Sequence, residues 1–145
     1  MTNKLTTFLW FNDNALEAAT LYCKIFDGKL SPMSGGASFE INGQRFVAFN
    51  GGPMFKLTPA VSIYVSVKTQ DEVDALWSRF LAEGGTESRC GWLTDKFGLS
   101  WQIIPDRLME LLTNKDAGVA QRAQQAMLKM QKIVIADLER AAANV

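Results

Sequence analysis

The chain is built from two halves that share one order of elements, and this constrains its fold more than any other feature. Residues 5–11 and 60–67 are both short runs of β-branched, aromatic and apolar side chains. Thr6 maps onto Ser62, Leu9 onto Val65 and Phe11 onto Val67 at an offset of 56. The stretches that follow align one residue shorter, with Ala18 on Val73, Leu21 on Leu76, Tyr22 on Trp77 and Ile25 on Phe80. At the next turn Gly28 falls on Gly84, and the offset of 56 returns with Val47 on Ile103 and Phe46 on Gln102. A doubled β-α-β-β-β unit is an α+β architecture. Each copy packs one helix on one sheet face and leaves the other face to be covered, so pairing the copies is expected to give a concave, half-barrel surface. The expected units span about 4–53 and 59–105, with a helical tail over 106–145, all within a single domain of residues 1–145.

Local signals supply the elements. Asn12-Asp13-Asn14 reads as a turn and helix cap after the first strand. Ala15, Ala18, Ala19, Tyr22 and Phe26 then recur at helical spacing, and Gly28 closes that helix. Ser34-Gly35-Gly36 is a loop. Strands are expected at 37–41 and 45–50, joined by Asn42-Gly43, a strong two-residue hairpin signal. Gly51-Gly52-Pro53 breaks the chain. In the second half Thr69 caps a helix with Asp71 and Glu72 in its first turn, and the helix carries Val73, Leu76, Trp77 and Phe80 as far as Gly84-Gly85. Strands follow around 90–93 and 99–104, and Pro105 stops the last. In the tail, Leu108, Leu111 and Leu112 predict a short helix. Residues 117–132 set Val119, Ala123, Met127 and Met130 on one face, and 133–142 form a last helix. A methionine pair at this spacing is the mark of packing rather than of a cofactor stripe.

Composition then excludes chemistry. The chain has no histidine. A histidine metal site, a histidine general base and Ser-His or Cys-His pairs are therefore ruled out. Lys plus Arg and Asp plus Glu each number 15. Zero net charge gives no reason to expect nucleic acid or an anionic membrane as partner. The N-terminus shows no signal-peptide pattern, and no apolar run approaches a membrane span, so a cytoplasmic protein is expected. Cys23 and Cys90 are expected to be free thiols.

Three segments carry a resemblance. Phe8-Leu-Trp-Phe-Asn-Asp-Asn-Ala-Leu-Glu-Ala-Ala-Thr-Leu-Tyr22, Phe49-Asn-Gly-Gly-Pro53 and above all Cys90-Gly-Trp-Leu-Thr-Asp-Lys-Phe-Gly-Leu-Ser-Trp-Gln-Ile-Ile-Pro105 resemble PhnB-like proteins. The tail segment Gln124-Gln-Ala-Met-Leu-Lys-Met-Gln-Lys132 is similar to the same group, also labelled 3-demethylubiquinone 3-methyltransferase-like. The resemblance implies the vicinal oxygen chelate (glyoxalase/bleomycin-resistance/dioxygenase) fold, a homodimer, and in many members a divalent metal held by His and Glu on the outer strands of each unit. By pattern those positions fall on Thr6, Phe46, Ser62 and Gln102. None is a His or Glu, so no metal and no other cofactor is expected.

Strand alternation shows which side chains share the expected concave face with these positions. They are Phe8 and Trp10 beside Thr6, Asn50 beside Phe46, and Tyr64 beside Ser62, with Trp92 adjoining Gln102. The set suits either a pocket for a small, mostly apolar or aromatic ligand or a simply filled half-barrel. Cys90, Asp95 and Gln102 are the candidates for catalysis, and each also has a plain structural reading: a half-buried thiol, a solvated turn and an orienting amide. The methyltransferase label implies a methyl-donor loop, which the sequence lacks. Four functions remain open: metal-free binding or conversion of a small molecule, a methyltransferase, a metal-dependent lyase or dioxygenase, and a non-enzymatic dimeric module whose tail (Leu111, Met127, Met130, Ile133, Leu138) covers a neighbouring subunit.

Overall fold

The computed structural model describes residues 4–144. The backbone divides into two compact units between Thr58 and Pro59. The first contains β1 (Thr7–Phe11), α1 (Ala15–Phe26), β2 (Lys29–Met33), β3 (Gly36–Ile41) and β4 (Gln44–Asn50). Its sheet runs β1-β4-β3-β2. β1 and β4 are parallel, and the other pairs are antiparallel. The apolar face of α1, with Ala15, Ala18, Ala19 and Tyr22 fully buried, accounts for the helix the spacing predicts. On the sheet, Phe39 stacks on Phe46 at 4.9 Å and meets Tyr22 at 6.0 Å. Leu9, Phe11 and Ala48 complete this core.

Three local details depart from expectation. β2 has no clear alternating pattern and contains Pro32, and it is tolerated as an edge strand that pairs only with β3. Asn14 makes no side-chain cap; the amide N–H of Ala15 donates instead to Asn50 Oδ1 at 2.9 Å. At the other end of α1 the left-handed residue is Asp27 (φ 52°) and not Gly28. Gly28 is required because a Cβ there would lie 2.7 Å from the Glu40 carbonyl oxygen. The Asn42-Gly43 hairpin is as expected, with φ of 50° and 80°.

The second unit contains β5 (Ser62–Val67), α2 (Gln70–Ala82), β6 (Thr86–Glu87), β7 (Trp92–Thr94) and β8 (Ser100–Pro105), then α3 (Asp106–Leu112), α4 (Ala117–Leu128) and α5 (Ile135–Ala143). The sheet order β5-β8-β7-β6 repeats that of the first unit, again with the outer long strand parallel to its neighbour. Thr69 Oγ1 accepts the Glu72 N–H at 3.1 Å, and the Glu72 carboxylate accepts from Thr69 and from the Lys68 N–H. This is the helix cap at Thr69 that the sequence suggests. Phe80 packs on Trp101 at 4.9 Å beneath the helix.

The tail is part of this unit's core. Leu108, Leu111, Ile133 and Leu138 are buried with Ile104, and Met127 and Met130 pack against them. The apolar set that was expected to cover a neighbouring subunit is thus largely consumed inside its own chain. Met130 lies beyond the end of α4. The segment around it is tied down by its backbone: Cys90 and Gly91 donate their N–H groups to the Met130 and Gln131 carbonyls at 2.8 and 2.7 Å. The Gln70 side-chain amide bonds both the Ile133 carbonyl and the Ile135 N–H. Both cysteines are free. Among the described residues no helix is long and apolar enough to cross a membrane.

Candidate functional site

Each sheet has one face under its helix and one open face. In the second unit the register pairs Ser62 with Ser100, Tyr64 with Gln102 and Ser66 with Ile104, and Trp92 with Gln102 across the antiparallel pair. Paired residues share a face. The opposite parity, with Trp101, Ile103 and Leu93, faces α2 and is buried. Ser62, Tyr64, Trp92 and Gln102 therefore stand on one open surface. Gln102 Nε2 donates to Ser62 Oγ at 2.9 Å, which orients the amide. Tyr64 is 45% exposed. Partial burial, and after it the Asp106 carboxylate, push its phenol above the ordinary value. It is thus a neutral hydrogen-bond donor at any physiological pH. Ser100 is buried on this face, and its hydroxyl has no hydrogen-bond partner among the described residues. At the end of the face, Ile104 is only 3% exposed because the tail covers it.

In the first unit the register differs from the expected one. Phe8 pairs with Val47 and Trp10 with Phe49, whereas Phe46 and Asn50 pair with Thr7 and Phe11. Phe46 and Asn50 therefore lie on the helix side. Phe46 is core, and Asn50 caps α1. The counterpart of Gln102 is Val47, not Phe46: the offset for this strand is one less than the repeat suggested, and a one-residue slip reverses every side chain. The open face carries three rows across the sheet. Arg45, Glu40 and Lys29 form the first, with Thr6 beside Arg45 in the same depression. Phe8, Val47, Ser38 and Ser31 form the second, and Trp10, Phe49, Gly36 and Met33 the third.

The third row is the core of an aromatic cluster. Phe49 lies 5.4 Å from Phe8 and 5.6 Å from Trp10, and Phe55 lies 5.1 Å from Trp10. The Trp10 indole donates to the Gly52 carbonyl at 2.9 Å, and its ring lies over Gly51, where any Cβ would collide with it. Phe8 and Phe55 are each 60% exposed. Sequence reasoning missed Arg45, Val47, Phe49 and Phe55 in this set. The signal was available for the first three. Counting outward from the Asn42-Gly43 turn pairs Glu40 with Arg45 and Ser38 with Val47, and the polar alternation of β3 then marks the open face.

Two of the catalytic candidates have structural roles. Asp95 is 5% exposed, and its carboxylate accepts from the N–H groups of Phe97 and Leu99 and from the Trp101 indole at 2.8, 3.0 and 2.9 Å. It organises the β7–β8 loop and is not a solvated turn. Cys90 has φ 59°, which with Gly91 forms the kink before β7 that receives the tail. Gln102 stands on the open face of its sheet, and Asp95 is buried away from solvent.

The fold implies a divalent metal in many relatives, and the donor set here does not suit one. The relevant strand positions hold Thr6, Val47, Ser62 and Gln102, and the Gln102 amide is bonded to Ser62. Transition metals favour imidazole or thiolate, and hard cations favour carboxylates. Among the described residues no group of three or more His, Cys, Asp or Glu is placed to hold a metal. A methyl-donor loop fits no better. The strand-to-helix turns are Asn12-Asp13-Asn14 and Lys68-Thr69, and neither contains glycine.

A model of the family described as 3-demethylubiquinone-9 3-methyltransferase matches residues 31–104. Among solved structures the chain is similar to a PhnB protein from Bacillus cereus, provisionally described as a 3-demethylubiquinone-9 3-methyltransferase. The two are 31% identical with a TM-score of 0.64, over 71% of this chain and 99% of that one. It shares its fold with a glyoxalase-related enzyme from Fulvimarina pelagi (19% identity, TM-score 0.56, 72% of this chain and 88% of that one). It shares it also with the fosfomycin resistance protein FosX from Listeria monocytogenes (17%, 0.56, 72% and 93%). No curated protein sequence matches the chain. The family match stops just before α3.

Proposed function

The chain belongs to the PhnB-like, 3-demethylubiquinone-9 3-methyltransferase family of the vicinal oxygen chelate fold, and from that premise we propose that it binds a small, largely apolar or aromatic molecule on its open sheet faces without a divalent metal. The observation that carries this reading is the second unit's open face, where Tyr64, Trp92 and a Gln102 amide held by Ser62 stand together. An aromatic surface with a few fixed polar groups is the usual make-up of a small-molecule site. Tyr64 supplies a neutral O–H donor and Gln102 a carbonyl acceptor. Together they match a ligand carrying a carbonyl, phenol or amide beside its apolar body. If the ligand is converted, the Tyr64 hydroxyl would hydrogen-bond the reacting oxygen and Gln102 would hold its orientation, with no metal step.

The test is a metal assay on purified protein with thermal-shift titrations of Mn²⁺, Zn²⁺, Ni²⁺ and Mg²⁺, followed by a screen of small aromatic carbonyl compounds. We expect no stoichiometric metal, no metal-induced shift, and hits whose shift is lost in Gln102→Ala and Tyr64→Phe. A stoichiometric metal with a large shift would overturn the reading. The family description favours methyl transfer as a second reading. A saturable thermal shift with S-adenosylmethionine would bring it forward.

A further inference from the structure

We infer that Ser62 and Ser100 of the second unit form a subsite for the oxygen of a neutral carbonyl group, and that the ligand of this face is an uncharged aromatic carboxamide or a like compound with a donor beside its carbonyl. The inference rests on the reading that this open face carries the ligand, and it names the group the face selects. The register sets Ser62, Ser100, Thr94 and Thr86 side by side on β5, β8, β7 and β6. The parity that holds Trp101 and Leu93 faces α2, so these four stand on the open side. One row thus crosses the whole sheet as hydroxyls alone, and the next carries Tyr64, Gln102 and Trp92.

Ser100 is what points to a ligand. It lies on a central strand, is 1% exposed, and its hydroxyl has no hydrogen-bond partner among the described residues. A buried hydroxyl loses its water on folding and is nearly always bonded to something else, so an orphan calls for a partner from outside the chain. Its neighbour Ser62 accepts from Gln102 Nε2 at 2.9 Å and keeps its own proton to donate. The two serines do not bond each other. Adjacent strands lie about 4.8 Å apart and an O–H···O bond is about 2.7 Å long, so one oxygen set between the two hydroxyls accepts from both. Ser62 and Thr94, on either side of Ser100, are only half-buried, which leaves the row open to approach at its flanks.

The charge of the face selects a neutral group. Neither row holds a cation to balance an anion. The Asp106 carboxylate acts on the Tyr64 phenol, and the same field opposes a second carboxylate beside it. Gln102, oriented by its N–H to Ser62, presents a carbonyl oxygen as acceptor. A carboxamide meets both demands, its oxygen at the serines and its N–H at Gln102. Trp92, paired with Gln102, gives the ring a surface.

The experiment titrates the intact protein with benzamide and with benzoate, reading the Trp92 indole N–H and the β5 and β8 amides by two-dimensional NMR. Benzamide should shift Trp92 and bind about tenfold more tightly than benzoate. Ser100→Ala should weaken benzamide about fivefold, with a melting temperature unchanged or raised, because the hydroxyl makes no bond within the fold. A hydroxyl with a purely structural role would do the reverse. A clear fall in the melting temperature of Ser100→Ala would therefore overturn the inference. Equal binding of benzamide by Ser100→Ala and the wild type would show that the serine pair holds water only; the inference then falls and the reading of the face stands. Benzoate binding as tightly as benzamide would overturn the selection for a neutral group. If benzamide leaves Trp92 unmoved at millimolar concentration while another aromatic carbonyl compound shifts it, the inference alone falls. If no such compound shifts it, both fall.

Discussion

The two units have the same strand order and the same parallel pairing, yet they finish their open faces in opposite ways. In the second unit the last open-face residue of β8, Ile104, is sealed under α3–α5. In the first unit the corresponding position on β4 is Phe49, which stays 36% exposed among Phe8, Trp10 and Phe55. The hairpins differ too. β3–β4 closes on a two-residue Asn-Gly turn, whereas β7–β8 closes on a loop organised by one buried carboxylate. One architecture thus yields an exposed aromatic face and a polar face that is roofed only at its Ile104 end. The fold supplies the frame, and the differences lie in turns, edges and the added tail.

The largest expected effect separates the two hairpins. Asp95→Ala leaves two backbone N–H groups and the Trp101 indole in a buried loop without their acceptor. Urea denaturation should show a loss of about 3–5 kcal/mol, because buried donors lose charge-assisted bonds and gain no water. Asp95→Asn should retain part of this. A cost below that of an ordinary surface substitution would mean that the carboxylate is not what closes the loop. The next effect concerns the roof. Leu138→Ala opens a cavity under the tail and should cost about 3 kcal/mol. Hydrogen exchange should show the Cys90 and Gly91 amides, which donate to Met130 and Gln131, losing protection before those of the β3–β4 ladder. Uniform loss across both units would break the contrast between a roofed and an unroofed face.

Much of this was legible in the sequence. The span of α1, the Asn-Gly turn, the Thr69 cap and the parity of β5 and β8 all follow from short-range pattern, and all agree with the structure. The failures have one character. β2 was invisible because an edge strand of five residues with a proline gives little alternation. Phe46 and Asn50 were placed on the wrong face because the offset between halves was carried across two hairpins of unequal loop length, and a single residue inverts a strand. Asn50 illustrates the limit: its cap on Ala15 joins residues 35 apart, and no local motif announces it. Asp95 looked solvated because it sits in a Lys- and Gly-containing turn, and only the fold brings the Trp101 indole to it.

Smaller effects sharpen the comparison at the helix starts. α1 is capped from a distant strand and α2 by its own Thr69. Asn50→Ala and Thr69→Ala should each cost about 1 kcal/mol. Their signatures in hydrogen exchange should differ. Loss of Asn50 should loosen both α1 and the end of β4, and loss of Thr69 should loosen α2 alone. If the two variants give equally local changes, the remote cap does not couple the helix to its sheet.

The smallest effect is electrostatic and belongs to the roof alone. Asp74 on α2 holds Lys132 of the α4–α5 connection at 2.8 Å and accepts from Gln70 at 3.0 Å. The Lys132 and Gln70 bonds keep its carboxyl below the usual 3.8. A carboxylate whose pKa is depressed on folding stabilises the fold at every pH above its unfolded value, and that contribution is lost as pH falls through the lower, folded value. Acid should therefore loosen the tail in the range below 3.8. Both side chains are more than a third exposed, so the term is under about 1 kcal/mol and should shrink with salt. Hydrogen exchange at the Ile135 amide, which donates to Gln70, reads the effect directly. Its protection should fall with acid in the wild type and be lower and flatter with pH in Asp74→Asn, while the first unit's β3–β4 amides follow the same curve in both. Identical Ile135 profiles in the two proteins would show that apolar packing of Ile133 and Leu138 holds the roof without help from this pair.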